Sequence, residues 1–226
     1  MAPPFIHGPL TNNPVVFLSE LAFTIVLIML CLVIYFKTKE LFGLTRYKGI
    51  DYFRKTFLFL AISYLFKFIS TAIMLSTINS GFPMQRSPLV PISLMLVSYF
   101  STMAIIYLFL SFSWKNIKLK YISLFAPVLA ALISVFAFIS RESLIVVSCQ
   151  ALLLLFAGIF SHAVHKKSKE FSKLFAIYIL LSIFWLIGLV QLSPRRFFPP
   201  GLNFIAQLIS FIILIAIYYK VNKWVK

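Results

Sequence analysis

Long apolar stretches alternate with short polar segments along the whole chain. A bilayer core about 30 Å thick needs roughly 20 apolar residues per helix, and the sequence supplies that length seven times. The predicted helices cover 15–36, 53–77, 89–112, 121–139, 143–165, 171–192 and 201–219. Their hydrophobic residues are continuous or follow a helical period, whereas the strands of a transmembrane barrel alternate. The pattern predicts an all-α, polytopic integral membrane protein with seven transmembrane helices.

The composition predicts a single transmembrane domain. Of the 226 residues, 62% are hydrophobic and 12% are charged, and the mean hydropathy is +1.00, far more apolar than a soluble domain. We expect a transmembrane domain over 15–219, an extracytoplasmic segment over 1–14 and a basic cytoplasmic tail over 220–226. Segment 1–14 has no Lys or Arg and no small-residue cleavage site, so we expect the first helix to be retained.

The 21 Lys and Arg residues are unevenly divided between the two sides of the predicted bundle. Most lie in segments 37–55, 113–120, 166–173 and 220–226, while the alternate side holds only Arg86, Arg141, Arg195 and Arg196. Positive residues collect on the cytoplasmic side, so we expect a cell-membrane protein with its N-terminus outside and its C-terminus inside. The formal net charge of +16 then predicts contact with anionic lipid headgroups rather than with nucleic acid.

The predicted helices show weak internal similarity. When helix 3 is placed on helix 7, Tyr107 meets Tyr219, and when helix 2 is placed on helix 6, Phe66 meets Phe184. Both pairs of helices run in the same direction, which is typical of a 3+1+3 parallel repeat. Chance identities are also frequent in a chain so rich in Leu, Ile and Phe, and the two explanations stay open.

A polar stripe crosses the second predicted helix. Ser63, Lys67, Ser70 and Thr71 fall on one helical face, and Lys67 lies near the bilayer midplane, where a charge is costly without compensation. Glu20 is the acidic residue within the apolar stretch of helix 1 and is the expected partner. The alternative is a lysine that snorkels to the interface, with a glutamate at headgroup level.

A second polar stripe lies on the seventh predicted helix. Asn203, Gln207 and Ser210 are spaced four and three residues apart in its outer half. Such groups often serve only as hydrogen bonds between helices, worth about 0.6 kcal/mol on average. Their depth matches that of Lys67 and Glu20, however, and predicts a polar cavity opening outward among helices 1, 2, 3 and 7.

Further polar and aromatic residues lie at the depth of the predicted cavity. They are Ser98 and Tyr99 on helix 3, Gln150 on helix 5, Trp185 on helix 6 and Tyr64 on helix 2. Trp185 and Tyr64 would stack on a ligand there, although aromatic residues at such positions more often serve packing. The predicted ligand-binding set is therefore Lys67, Glu20, Ser63, Ser70, Asn203, Gln207, Ser210 and Trp185.

The sequence offers no catalytic, metal-binding or cofactor motif. His162 and His165 stand beside lysines near the inner end of helix 5, with no carboxylate to complete a metal site. Cys31 and Cys149 lie at different membrane depths, so we expect no disulfide between them. We predict that the protein is not an enzyme and carries no metal or cofactor.

One tetrapeptide on helix 6 carries a resemblance to a known family. Trp185-Leu186-Ile187-Gly188 is similar to a Trp-Leu-Ile-Gly run in the sixth helix of microbial rhodopsins, which also have seven helices and an outside N-terminus. The retinal-binding lysine of that family is missing, since Ser210 to Ile215 occupy the middle of helix 7. The resemblance implies the seven-helix fold without retinal.

Two other groups share this topology, namely the seven-helix sensor regions of prokaryotic histidine kinases and the SWEET, PQ-loop and KDEL-receptor-like proteins. The Pro-Gln pair of the PQ-loop group is absent. Three functions stay open: a small-solute carrier whose ligand binds at Lys67, a receptor-like sensor that signals through its basic inner segments, and a structural subunit of a membrane complex.

Overall fold

The structure is a computed structural model that describes residues 14–80, 89–113, 119–140, 143–167, 172–192 and 200–225. Those residues form seven helices: α1 (Pro14–Thr45), α2 (Lys48–Ser80), α3 (Leu89–Ser113), α4 (Leu119–Ser140), α5 (Ser143–Lys167), α6 (Ser172–Leu192) and α7 (Pro200–Val225). The predicted all-α fold is confirmed over these ranges.

Four helices are long and apolar enough to cross a membrane, as judged by length and composition. Their spanning segments are Leu18–Thr45, Lys48–Ile73, Pro91–Ser111 and Phe204–Lys223. The described parts of the other three contain shorter apolar helices, Phe125–Ser140, Val146–Ile159 and Ile177–Gly188. These lengths are those of a membrane protein. That all seven helices cross the membrane, the orientation of the chain in the membrane and the internal repeat stay predictions.

The first two helices extend well beyond their apolar stretches. α1 continues to Thr45 and α2 begins at Lys48, so most of the polar segment 37–52 is helical. Ion pairs along the helix support this part, with Lys37 contacting Glu40 at 3.4 Å. Hydropathy predicts only the part of a helix that lipid would cover. A helix that continues into polar surroundings has no apolar run there, so hydropathy does not predict that continuation.

A sharp turn joins α1 to α2. Arg46 adopts a left-handed conformation with φ of 50°, and its backbone N–H donates to the carbonyl of Phe42 at 2.8 Å. This is the αL termination of a helix, a position that usually holds glycine. The turn places α1 beside α2, which brings the Glu20 and Lys67 helices together.

Six helices close a ring and the seventh lies outside it. Around the ring, α1 packs against α2, α2 against α3, α3 against α5, α5 against α6, α6 against α7, and α7 against α1. α4 packs against α3 and α5, so it occupies the groove on the outer side of that pair. The main hydrophobic core has members on α1, α2, α3, α5, α6 and α7, including Cys31, Phe57, Leu108, Leu181 and Leu214.

An aromatic ladder fixes the register between α2 and α3. Tyr52, Phe59 and Phe66 recur every seventh residue on α2, and Phe100 and Tyr107 do so on α3. The rings stack alternately, with Phe59 5.1 Å from Tyr107 at 8° and Phe66 5.4 Å from Phe100 at 12°. Because each ring contacts the opposite helix, a shift of one helix along the other would break several aromatic pairs together.

The outward faces of the bundle are apolar. Many large apolar side chains are more than half exposed, among them those of Phe125, Leu132, Phe136, Leu152 and Phe156. A soluble protein rarely exposes so many large apolar side chains together. The exposed side chains instead suit contact with lipid chains.

Several predictions lie outside the described residues. Segment 1–14 does so except for Pro14, which begins α1, and so do Lys226 of the tail and the proline-rich segments 81–88 and 193–199. The side chains of His162, His165 and Asn203 are likewise outside the described part.

Candidate functional site

The charged pair predicted between the first two helices is present. Lys67 Nζ on α2 lies 3.8 Å from Glu20 Oε1 on α1, and the two side chains are 22% and 20% exposed. Both residues lie within long apolar helices. A partly buried charge is tolerated when an opposite charge compensates it, so the pairing explains how a lysine is kept within the apolar helix α2.

The polar stripe of α2 faces α3. Ser63 donates to the carbonyl of Val97 at 3.3 Å, and the hydroxyls of Ser70 and Ser93 lie 2.9 Å apart. Each bond joins the two helices on one side of Lys67. The two serines therefore tie α2 to α3, and Lys67 is held between these two fixed points.

A cavity of about 40 Å³ lies beside Lys67. It is bounded by three helices that meet at this depth, with lining residues Leu60, Ser63, Tyr64 and Lys67 from α2, Val97 and Ser101 from α3, and Phe184, Trp185 and Gly188 from α6. A water molecule requires roughly 10–15 Å³ by this kind of measure, so the cavity suits a solute of a few heavy atoms. The structure brings Ser63, Lys67 and Trp185 to one cavity.

Trp185 belongs to the cavity wall, and its indole N–H is buried. Its side chain is 5% exposed, and its indole N–H has no hydrogen-bond acceptor among the described residues. A buried donor without an acceptor is costly. The neighbouring Phe184 meets Tyr64 edge-on at 6.3 Å, which fixes this part of α6 against α2.

Gly188 leaves open space one turn along α6 from the tryptophan. A Cβ placed at Gly188 would meet nothing within 4 Å, apart from the helix itself. A larger residue at this position would therefore project into unoccupied volume in the wall of the cavity. The sequence marks Gly188 only through the rhodopsin-like tetrapeptide, and the structure gives it a position beside Trp185.

The α7 residues that the sequence predicted for the ligand site are absent from the described lining of the cavity. Ser210 is buried and Gln207 is half-buried, but neither belongs to the described cavity wall. α7 packs chiefly against α1 and α6, whereas the cavity lies where α2, α3 and α6 meet. Helical phase and depth predicted the polar stripe, but they carry no information on which helices are neighbours.

A polar contact between α3 and α5 adjoins the cavity. Gln150 is fully buried, and its amide nitrogen donates to Ser101 Oγ and contacts Thr102 Oγ1 at 3.4 Å. Ser101 is also part of the cavity wall. Sequence reasoning missed Ser101 and Thr102, although the small hydroxyl residues at 98, 101 and 102 share one helical face, which was the available signal.

Comparison with known proteins gives one full-length similarity. The chain is 28% identical over 99% of its length to a protein of Archaeoglobus fulgidus, of which it covers 99% and whose printed description is "Uncharacterized protein". No family model matches the chain, and no solved structure matches it. The similarity extends over nearly the whole length of both chains, and it assigns no activity to either of them.

Proposed function

We propose that the chain is a seven-helix integral membrane protein that binds and carries a small polar solute across a cell membrane. The observation that carries this proposal is the Glu20–Lys67 ion pair beside a cavity between α2, α3 and α6. Ionisable residues inside membrane helices are costly and usually mark a pathway or a binding site.

The position of Lys67 suits exchange between two partners. At 3.8 Å from Glu20, Lys67 makes a long ion pair, and its side chain also lines the cavity. A solute in the cavity would compete with Glu20 for the same cation. Such competition gives a bound and an unbound state that differ in the contact between α1 and α2, which is the kind of bistable contact that alternating access requires.

The remaining parts of the proposal rest on the charge pattern. Four helices have spanning length in their described parts, and we extend the crossing to all seven because the other three are apolar as well. The charge pattern of the basic segments supports an N-terminus outside and a C-terminus inside, and in that orientation the arginines and lysines at the inner ends of α1 and α2 would contact anionic headgroups. The 3+1+3 repeat and the resemblance to rhodopsins remain predictions.

The carrier function is tested by solute flux in liposomes that contain the purified full chain. A panel of small solutes, anionic, neutral and cationic, is loaded, and efflux is compared with that of protein-free liposomes. We expect efflux of at least one solute and its loss in Lys67→Met, with no loss in Lys37→Met, whose lysine lies on the exposed polar part of α1. Absence of efflux for the whole panel refutes the carrier and favours a sensor or a structural subunit.

A further inference from the structure

A groove runs along the outward side of α3. α2 packs against α1 and α3, and α4 packs against α3 and α5, so α2 and α4 flank α3. The five rings of the aromatic ladder are half-buried, which leaves part of each side chain accessible. The ladder also contacts the buried cluster that joins α3 to α4, whose members are Met103, Ile106, Leu110, Ala126 and Ala130. The ladder therefore lines this α2–α4 groove.

The stacked rings give the α2–α4 groove a continuous apolar surface. Phe59 stacks on Tyr107 at 5.1 Å and on Phe100 at 6.1 Å between ring centres. The stretch from Phe100 to Tyr107 extends about 10 Å along α3, and one leaflet of a bilayer contains about 15 Å of hydrocarbon. An acyl chain that begins near Tyr107 would therefore lie over the rings along most of its length.

A lysine stands at one end of the groove. Lys55 Nζ lies 5.6 Å from the ring centre of Tyr52 and 5.9 Å from that of Tyr107, and these two rings stack on each other. The lysine side chain is 37% exposed, and its Nζ lies 2.9 Å from Asp51 Oδ2. An ammonium carries three N–H groups, so Lys55 can bind a second anion while it keeps its contact with Asp51.

The charges around Lys55 favour such an anion. Asp51 also pairs with Arg54, whose Nη2 lies 2.7 Å from Asp51 Oδ1. Arg54 is turned toward α1, where its guanidinium lies 4.9 Å from the ring centre of Phe42. Two cations therefore share one carboxylate, which leaves one positive charge without compensation within this group. A single phosphodiester carries one negative charge and would balance it at the end of the apolar groove.

We propose that the α2–α4 groove binds one anionic phospholipid, with its phosphate at Lys55 and an acyl chain along the aromatic ladder. This is a single defined site, which differs from a general attraction of basic segments for headgroups. It rests on the spanning lengths of α2 and α3 and not on the carrier function, because the cavity beside Lys67 lies where these helices meet α6. The bound lipid fills the space between α2 and α4 and stabilises the position of α4 outside the ring.

The test is native mass spectrometry of the full chain, released from micelles that contain dioleoyl phosphatidylglycerol or dioleoyl phosphatidylcholine. The two lipids share their chains and phosphate, and only the first has a net negative charge. A charge near the surface contributes about 1 kcal/mol, so we expect one phosphatidylglycerol per chain, bound about fivefold more tightly than phosphatidylcholine. Equal affinity overturns the proposal. A dimer that binds neither lipid shows that a second copy covers the groove, and it also overturns the proposal.

Variants locate the phosphate. Lys55→Met should remove the fivefold preference, and it should fold because Asp51 keeps its contact with Arg54. Lys55→Arg should retain the preference. Lys37→Met is the matched control, since Lys37 is also 37% exposed and also pairs with a carboxylate on its own helix, but lies on α1. It should retain the preference, with thermal melting confirming that each variant is folded. Equal losses in Lys37→Met and Lys55→Met would show only a general attraction and overturn the site.

A photoreactive lipid locates the acyl chain. Phosphatidylglycerol with a diazirine in its chain is added at one lipid per protein and irradiated, and the adducts are mapped by peptide sequencing. We expect adducts near Phe59 on α2 and near Leu129 on α4, and their loss in Lys55→Met. Adducts confined to the outward face of α5, around Leu152 and Phe156, would contradict the proposal.

Discussion

Removing one member of the Glu20–Lys67 pair should destabilise the protein more than removing both. Lys67→Met leaves the Glu20 carboxylate without its cation, and Glu20→Gln leaves the Lys67 ammonium without its anion. Breaking a fully buried pair from one side typically costs about 3–5 kcal/mol, and because both side chains here are about one-fifth exposed, we expect each single variant to cost less, about 1.5 kcal/mol. The double variant removes both charges, so most of that penalty disappears.

The size of the coupling follows from the geometry. Two unit charges about 4 Å apart interact by roughly 4 kcal/mol at an effective dielectric constant of about 20, and the observed separation is 3.8 Å. Both side chains are about one-fifth exposed, which weakens the attraction through screening. We therefore expect a coupling free energy of about 2 kcal/mol between the two positions.

The assay is a double-mutant cycle on the free energy of unfolding, measured by denaturant titration in mixed micelles. Lys37 and Glu40 provide a matched control, because their ion pair is shorter, at 3.4 Å, but its side chains are 37% and 59% exposed. That pair should couple by about 0.3–0.5 kcal/mol. If the Glu20 and Lys67 single-variant effects add to within about 0.5 kcal/mol, the pair is energetically inert and the reasoning is wrong.

Three further predictions concern the scaffold and the topology. Phe59→Leu removes the stacks on Phe100 and Tyr107, so it should lower the free energy of unfolding by about 2 kcal/mol. The control Phe125→Leu changes a position that is 61% exposed, so it should change the free energy of unfolding little in the same micelle titration. Arg46→Gly should raise thermal stability by about 1 kcal/mol because the left-handed φ of 50° suits glycine, and Arg46→Ala, tested beside it, should give no such gain. In a Cys31→Ser/Cys149→Ser background, an impermeant maleimide should label Arg195→Cys from outside and Lys223→Cys only after permeabilisation; the reverse pattern contradicts the proposed orientation.

The helices and the ion pair could be predicted because both follow from local rules. Apolar length marks a helix of membrane-spanning size, and helical phase puts Ser63, Lys67 and Ser70 on one face. The partner of Lys67 could be named because Glu20 lies at a matching depth on the preceding helix, and helices joined by a short turn pack side by side.

The composition of the cavity wall could not be predicted in the same way. It depends on which helices meet, and α6 reaches α2 and α3 while α7 packs against α1 and α6. Nothing in the spacing of Gln207 or Ser210 reveals that arrangement. The polar extension of α1 and α2 was also missed, because residues 37–45 and 48–52 are helical without being apolar.

The central claim is that a solute occupies the cavity beside Lys67, and filling that cavity tests it most directly. Gly188→Leu would place a side chain in the open space of the wall, while Gly43→Leu makes the same change on α1, where an added Cβ also meets nothing within 4 Å. Solute efflux from liposomes should be abolished by Gly188→Leu and unchanged by Gly43→Leu, with both variants folded by thermal melting. Full efflux through a folded Gly188→Leu protein would contradict the account.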